Sequence, residues 1–245
     1  MLAEFPREEL AAGLDAVVAE ILALAGVERP PVDAFAVARA LDITVAADDC
    51  QDGRARYVRR KGRSRPAATI LLKADPRAER RQWAVAHEIG EHATQRAFAV
   101  WGVDPRETPP NAREAVASHL AGRLLLPTAW FAADAAECGW DLLALKTRYA
   151  SASHELIARR MLECRPPVII TIFDQRAMHF RRSNLPGRIP PPSPAELACW
   201  RAVHHGNRAQ TAAEGPCTVQ GWPVHEDGWQ REILRTEIDE YGLEG

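Results

Sequence analysis

The residue types best able to do chemistry are gathered in residues 80–95, RRQWAVAHEIGEHATQ, where His87, Glu88, Glu91 and His92 fall within six positions. Imidazole nitrogens and carboxylate oxygens ligate divalent transition metals, and a carboxylate beside such an ion can take a proton from water. On a helix, residues four apart lie about 40° apart around the axis, so both can reach one ion. The H-E-x-x-H arrangement uses this spacing, with two histidine ligands and a glutamate acting on bound water. Here H-E-I-G-E-H puts Glu91 four residues after His87, and His92 five after it. Two solutions stand open. In a regular helix His87 and Glu91 form the pair, and His92 points about 140° away from His87. With one residue absorbed in a π-bulge, a distortion that favours functional sites, His87 and His92 form the pair. Glu88 is the general base under either. The plainer alternative is a solvated helix face with two ordinary histidines, against which stands the apolar WAVA just before it.

A third ligand must come from elsewhere in the chain, and Glu114, early in NAREAVASHLAGRLLLP, is the candidate. It has a competing role, because Asn111 and Glu114 have the spacing of a capping box. Ser118, one turn on, is placed to hydrogen-bond Glu114. Hydrolysis of an amide also needs a donor for the oxyanion, and Tyr149, His119 and His154 are candidates.

The elements that must position these groups follow from periodicity and punctuation. Residues 7–25 repeat apolar positions at helical spacing (Leu10, Leu14, Val17, Ile21, Leu24), Pro30-Pro31 breaks the pattern, and Asp33 can cap a short second helix. Ile43-Thr44-Val45 reads as a strand. The basic stretch RARYVRRKGRSR reads as a solvated hairpin turning at Lys61-Gly62, with Tyr57 a stacking aromatic if it met nucleic acid. ATILLK (residues 68–73) is a strand able to serve as a sheet edge for an extended peptide. Asp75-Pro76 marks the start of the histidine-bearing helix, expected to run to about Gln95. After a Pro, Asp and Gly-rich loop, helices are expected over 111–126, 128–137, 141–149 and 153–163. From Pro166 the pattern changes to a hairpin (VIITIF, a D-Q-R-A turn, MHFRR). A short helix follows, capped by Ser193, Pro194 and Glu196. WQREILRTEID reads as strand or helix. The expected organisation is a domain over 1–165 and a small α+β extension over 166–245.

Composition narrows the classes of function. A formal charge of −2 gives no overall attraction to nucleic acid or anionic membrane. No apolar run approaches the roughly 20 residues of a membrane helix, and the acidic N-terminus lacks a signal-peptide pattern. Five cysteines without C-x-x-C spacing point to reduced thiols and a cytoplasmic protein.

Three stretches resemble the ImmA/IrrE family of metallopeptidases. PPVDAFAVARALDITV is similar to its N-terminal helix-strand segment, AVAHEIGEH to its zinc helix, and EAVASHLAGRLLLP to the helix that carries the third ligand. Counted back from Pro127, that third ligand is Glu114, while Glu91 stands where the family has its second histidine. The likeness covers roughly residues 30–163. It implies an α+β fold: a mainly helical zincin-like core with a small antiparallel sheet. It further implies a metal-dependent endopeptidase using zinc, with manganese as the alternative. The expected substrate is a helix-turn-helix transcriptional repressor, cut in response to stress signals. Two other readings compete. LLALKTRYASASHELIARRM has the apolar spacing of two short helices and a turn, as in a DNA-binding regulator, although the neutral charge balance argues against direct nucleic-acid binding. The altered i+4 position allows a degenerate, non-catalytic sensor.

Overall fold

The computed structural model describes residues 5–50, 53–60, 67–215 and 217–238, and the architecture is α+β. The chain packs as two units, residues 1–134 with 147–153, and residues 135–146 with 154–245. The turn expected at Lys61-Gly62 lies outside the described residues.

In the first unit, α1 (Arg7–Ala25) buries Leu14, Val17, Val18, Ile21 and Leu22, a stripe at i, i+3, i+4, i+7 and i+8. Leu24 was expected on this face. It lies about 80° around the axis from Leu14 and is 63 % exposed. The helix ends at Gly26, whose φ of 63° is left-handed. Helix α2 (Ala34–Ala40) is capped by Asp33, whose carboxylate accepts from the Phe35 N–H. Gln82 ties this start to the next long helix: its Nε2 donates to Asp33 and its Oε1 accepts from Ala34 N–H.

Strands β1 (Ile43–Ala47), β2 (Ala55–Arg60) and β3 (Ala67–Leu72) form one sheet in the order β1-β3-β2. β1 runs parallel to β3 and β2 antiparallel to it, so the sheet is mixed rather than antiparallel as expected. β3 is central, not an edge. Its second side is covered by β1, a strand some twenty residues earlier in the chain. The edge nearest the chemistry belongs to β2. Lys73 N–H donates to the Arg54 carbonyl, and antiparallel ladders alternate bonded and non-bonded pairs. The main chain of Ala55 and Tyr57 therefore faces away from β3.

Helix α3 (Ala78–Val100) begins later and runs longer than expected. Asp75 instead accepts from Arg77 N–H in a turn ahead of it. Helix α4 (Pro110–Leu125) packs along α3. Then come α5 (Thr128–Glu137) and α6 (Leu142–Arg148), near their expected bounds and each with residues in both units.

In the second unit, α7 (His154–Met161) precedes strands β4 (Val168–Asp174) and β5 (Ala177–Ser183). Helix α8 (Pro194–Gly206) and strands β6 (Gln210–Glu214), β7 (Cys217–Pro223) and β8 (Arg231–Ile238) complete it. WQREILRTEID therefore resolves as strand. The five strands are antiparallel neighbours in the order β5-β4-β8-β7-β6, which makes β8 central. Helix α8 carries the capping box expected at Ser193 and Glu196. It packs on the sheet through Cys199 and Val203 against Phe173, Val219 and Leu234. Gly221 permits this approach, because a Cβ there would sit 2.8 Å from both Leu234 and Val203.

Candidate metal centre

The centre is built where α3 and α4 cross. Helix α3 is α-helical throughout, with no π-bulge, so His87 and Glu91 share a face as i and i+4 residues do. Gly90 sits between them on the side toward α4. A Cβ at that position would lie 2.4 Å from the Ala117 carbonyl oxygen, so the two helices approach more closely than any side chain would allow. That approach brings Glu114 over His87, with Oε1 3.2 Å from Nε2.

The capping role expected for Glu114 is absent. Pro109 is the N-cap of α4, with no side-chain capping bond, because the helix starts two residues earlier than an Asn111 cap would place it. The Glu114 side chain is 64 % exposed and directed at His87 instead. One ligating atom each from His87, Glu91 and Glu114 lies within 4.8 Å of the others. Arg113 NH2 approaches Glu91 Oε2 at 3.9 Å.

Glu88 lies on the adjacent face, 8 % exposed. Burial raises its carboxyl above the ordinary value, opposed by the charge of His87 and a hydrogen bond to the Tyr57 main chain; Glu91 and Glu114 push it up again. Tyr57 comes from the β2 edge, so the sheet rim and the acid meet here. His92 is not part of the three-residue group: its Nδ1 lies 2.8 Å from the Tyr57 hydroxyl. The pairing of His87 with Glu91 is the geometry present, and His92 links α3 to β2. Trp83, one turn before His87, has its ring centroid 6.4 Å from the imidazole.

One imidazole nitrogen and two carboxylates, with a third carboxylate beside them, suit a divalent cation by charge and by donor type. Zinc's preference for nitrogen is weakened by this oxygen-rich set.

The remaining candidates fare differently. Ser118 is half-buried one turn from Glu114, and His119 is exposed. Tyr149 is fully buried, packed on Phe131 and donating to Asp134 Oδ2 at 2.7 Å, a structural arrangement that removes it as an oxyanion donor. His154 opens α7 in the other unit. Sequence reasoning missed Gly90 and Arg113, and saw Tyr57 only as a stacking aromatic. A glycine inside an otherwise well-formed helix was the one signal available, since it marks close backbone approach.

No curated protein matches the chain. Among solved structures, a Mycobacterium tuberculosis transcriptional regulator matches with a TM-score of 0.64 and 17 % identity, covering 92 % of this chain and 75 % of that one. At that identity the likeness speaks for the fold alone. The family profile described as the IrrE N-terminal-like domain, of the Peptidase M78 type, matches residues 38–162, which include α3, α4 and all the residues gathered at the centre. With just over half its length so matched, the chain belongs to the IrrE N-terminal-like peptidase family.

Proposed function

We propose that the chain is a metal-dependent endopeptidase with a zincin-like core. The observation that carries this reading is the convergence of His87, Glu91 and Glu114 beside the buried Glu88. His87, Glu91 and Glu114 would hold zinc or manganese, and the ion would supply Lewis acidity toward a scissile carbonyl and its attacking water. Glu88 accepts the proton of that water and returns it to the departing amine. Its burial favours this exchange, because a raised carboxyl pKa makes it a stronger base. An extended peptide aligned on the outward main chain of β2 would pass Tyr57, and so lie against Glu88. This role replaces the one expected for β3. Arg113, on the first turn of α4, lies 3.9 Å from Glu91 and suits an oxyanion or a substrate carboxylate. The substrate, a helix-turn-helix repressor, comes from the family resemblance, and the cytoplasmic setting from five cysteines without C-x-x-C spacing.

The test is peptidase assay and elemental analysis of the full chain. Glu88→Gln is expected to retain the metal and lose cleavage, whereas His87→Ala and Glu114→Ala lose cleavage and the metal of this centre. Cleavage surviving in Glu88→Gln would overturn the mechanism.

One observation favours a second reading, the non-catalytic sensor. Arg113 beside Glu91 partly neutralises the ligand that replaces histidine. A wild-type chain whose stability does not change with metal, and which cuts no repressor, would support it. The DNA-binding reading predicts salt-sensitive binding to random duplex DNA.

A further inference from the structure

The sheet of the second unit holds two buried glutamates under α8, one near each end of that helix, and their surroundings differ in charge. Glu196, Trp200 and His204 follow one another at i, i+4 and i+8, so all three face the sheet. At the first end, Glu196 meets Arg181 in a two-pronged ion pair, 2.9 and 3.0 Å, and accepts from the Thr236 hydroxyl. At the other end, Glu232 stands on the central strand with its side chain 0 % exposed. Its Oε2 accepts from Trp200 Nε1 at 3.0 Å. Its Oε1 meets two imidazole nitrogens, His204 Nδ1 at 2.8 Å and His225 Nε2 at 2.7 Å. Among the described residues no guanidinium or ammonium is bonded to it. Burial pushes this carboxyl up, but His204, His225 and Trp200 together hold it below the usual carboxylate range, and three metal-ligating atoms converge at this point.

We propose that His204, His225 and Glu232 form a second binding site for a divalent transition-metal ion, with zinc the best match to two imidazoles and one carboxylate. A tetrahedral ion holds its ligand atoms roughly 3.3 Å apart, so Glu232 Oε1 parts from each imidazole nitrogen by about half an ångström to admit it. The fourth position is left to solvent on the side of His225, whose side chain is 14 % exposed. Proton placement sets a condition. Arg176 Nε donates to His204 Nε2 at 3.2 Å, which leaves the ring's proton on Nδ1. On ligation each neutral ring carries its proton on the nitrogen away from the ion, so that of His204 moves to Nε2 and Arg176 swings out. Arg176 is exposed and stands in a two-residue turn with Gln175, at φ of 70° and 48°, so it has solvent to move into. Arg176 thus works as a gate on ligation. This site is independent of the proposed peptidase centre.

The test uses the full chain carrying His87→Ala and Glu114→Ala, which removes the ligands of the other centre. After chelator treatment and dialysis it is titrated with zinc, and with cobalt as an optical probe. The expected result is one equivalent per chain, a rise in melting temperature, and cobalt absorption bands of nitrogen and oxygen ligation, all abolished by adding His225→Ala. Arg176→Ala is expected to bind several-fold more tightly. The proposal is overturned by no uptake at micromolar zinc, by uptake that survives His225→Ala, as thiol binding would, or by an Arg176→Ala affinity that is unchanged or weaker. His225→Ala is the deciding variant because that residue is the least buried of the three, and its melting curve without metal checks that the fold persists.

Discussion

Three carboxylates share one imidazole at the first centre, and burial divides their roles. Glu114 is exposed, Glu91 is half-buried beside His87, and Glu88 is buried against β2. Glu88→Gln is expected to lower kcat/KM by roughly 10²–10⁴-fold, the usual contribution of a general base, with metal content unchanged by elemental analysis. Glu91→His restores two imidazole ligands at i and i+4. It is expected to raise the preference for zinc over manganese in a competition titration, since the donor set becomes richer in nitrogen. An unchanged ratio would mean that residue 91 does not ligate. The identities of these residues were legible in the sequence, and so was the choice between two geometries. The hydrogen bond between His92 and Tyr57 was not legible, because the two lie thirty-five residues apart.

At the scale of elements, the close crossing of α3 and α4 is what assembles the centre. Gly90→Ala places a methyl group against the Ala117 carbonyl, so the helices must separate. The expected loss is about 1–3 kcal/mol of stability, typical of overpacking, with weaker metal binding than a surface Ala substitution gives. Denaturant melts with and without metal check both. Helices α1, α2, α5 and α6 were readable because each repeats apolar residues at its own period or carries a local stop signal. The central position of β3 was hidden, because it depends on a parallel pairing with β1 across the intervening β2 hairpin. The start of α3 was misjudged for a related reason: Asp75 closes a turn that resembles a helix cap from sequence alone.

Across the whole molecule, each unit has its own charged interior. In the second unit, burial alone would push Glu196 up, but Arg181, Thr236 and the Ser193 N–H together hold it below the usual carboxylate range. A carboxyl whose folded value is depressed contributes stability that is present above the unfolded value of about 4.3 and is lost as pH falls through the folded value. Removing Arg181 from this buried pair is expected to cost about 3–5 kcal/mol. Glu196→Gln is expected to flatten the decline in stability below pH 5, read as urea midpoints against pH. An acid limb of undiminished slope would contradict the assignment. The polar stripe Glu196, Trp200, His204 was written in the sequence of α8, but its meaning required β8, which supplies Glu232 and Thr236. With a candidate centre in each unit, metal content is most informative when one is silenced. The most direct test of the peptidase account is therefore metal stoichiometry in a His225→Ala chain, compared with the same chain carrying Glu91→Ala or His92→Ala. The account predicts one metal per chain, lost with Glu91→Ala and kept with His92→Ala. Loss with His92→Ala alone, or no metal in the His225→Ala chain, would contradict it.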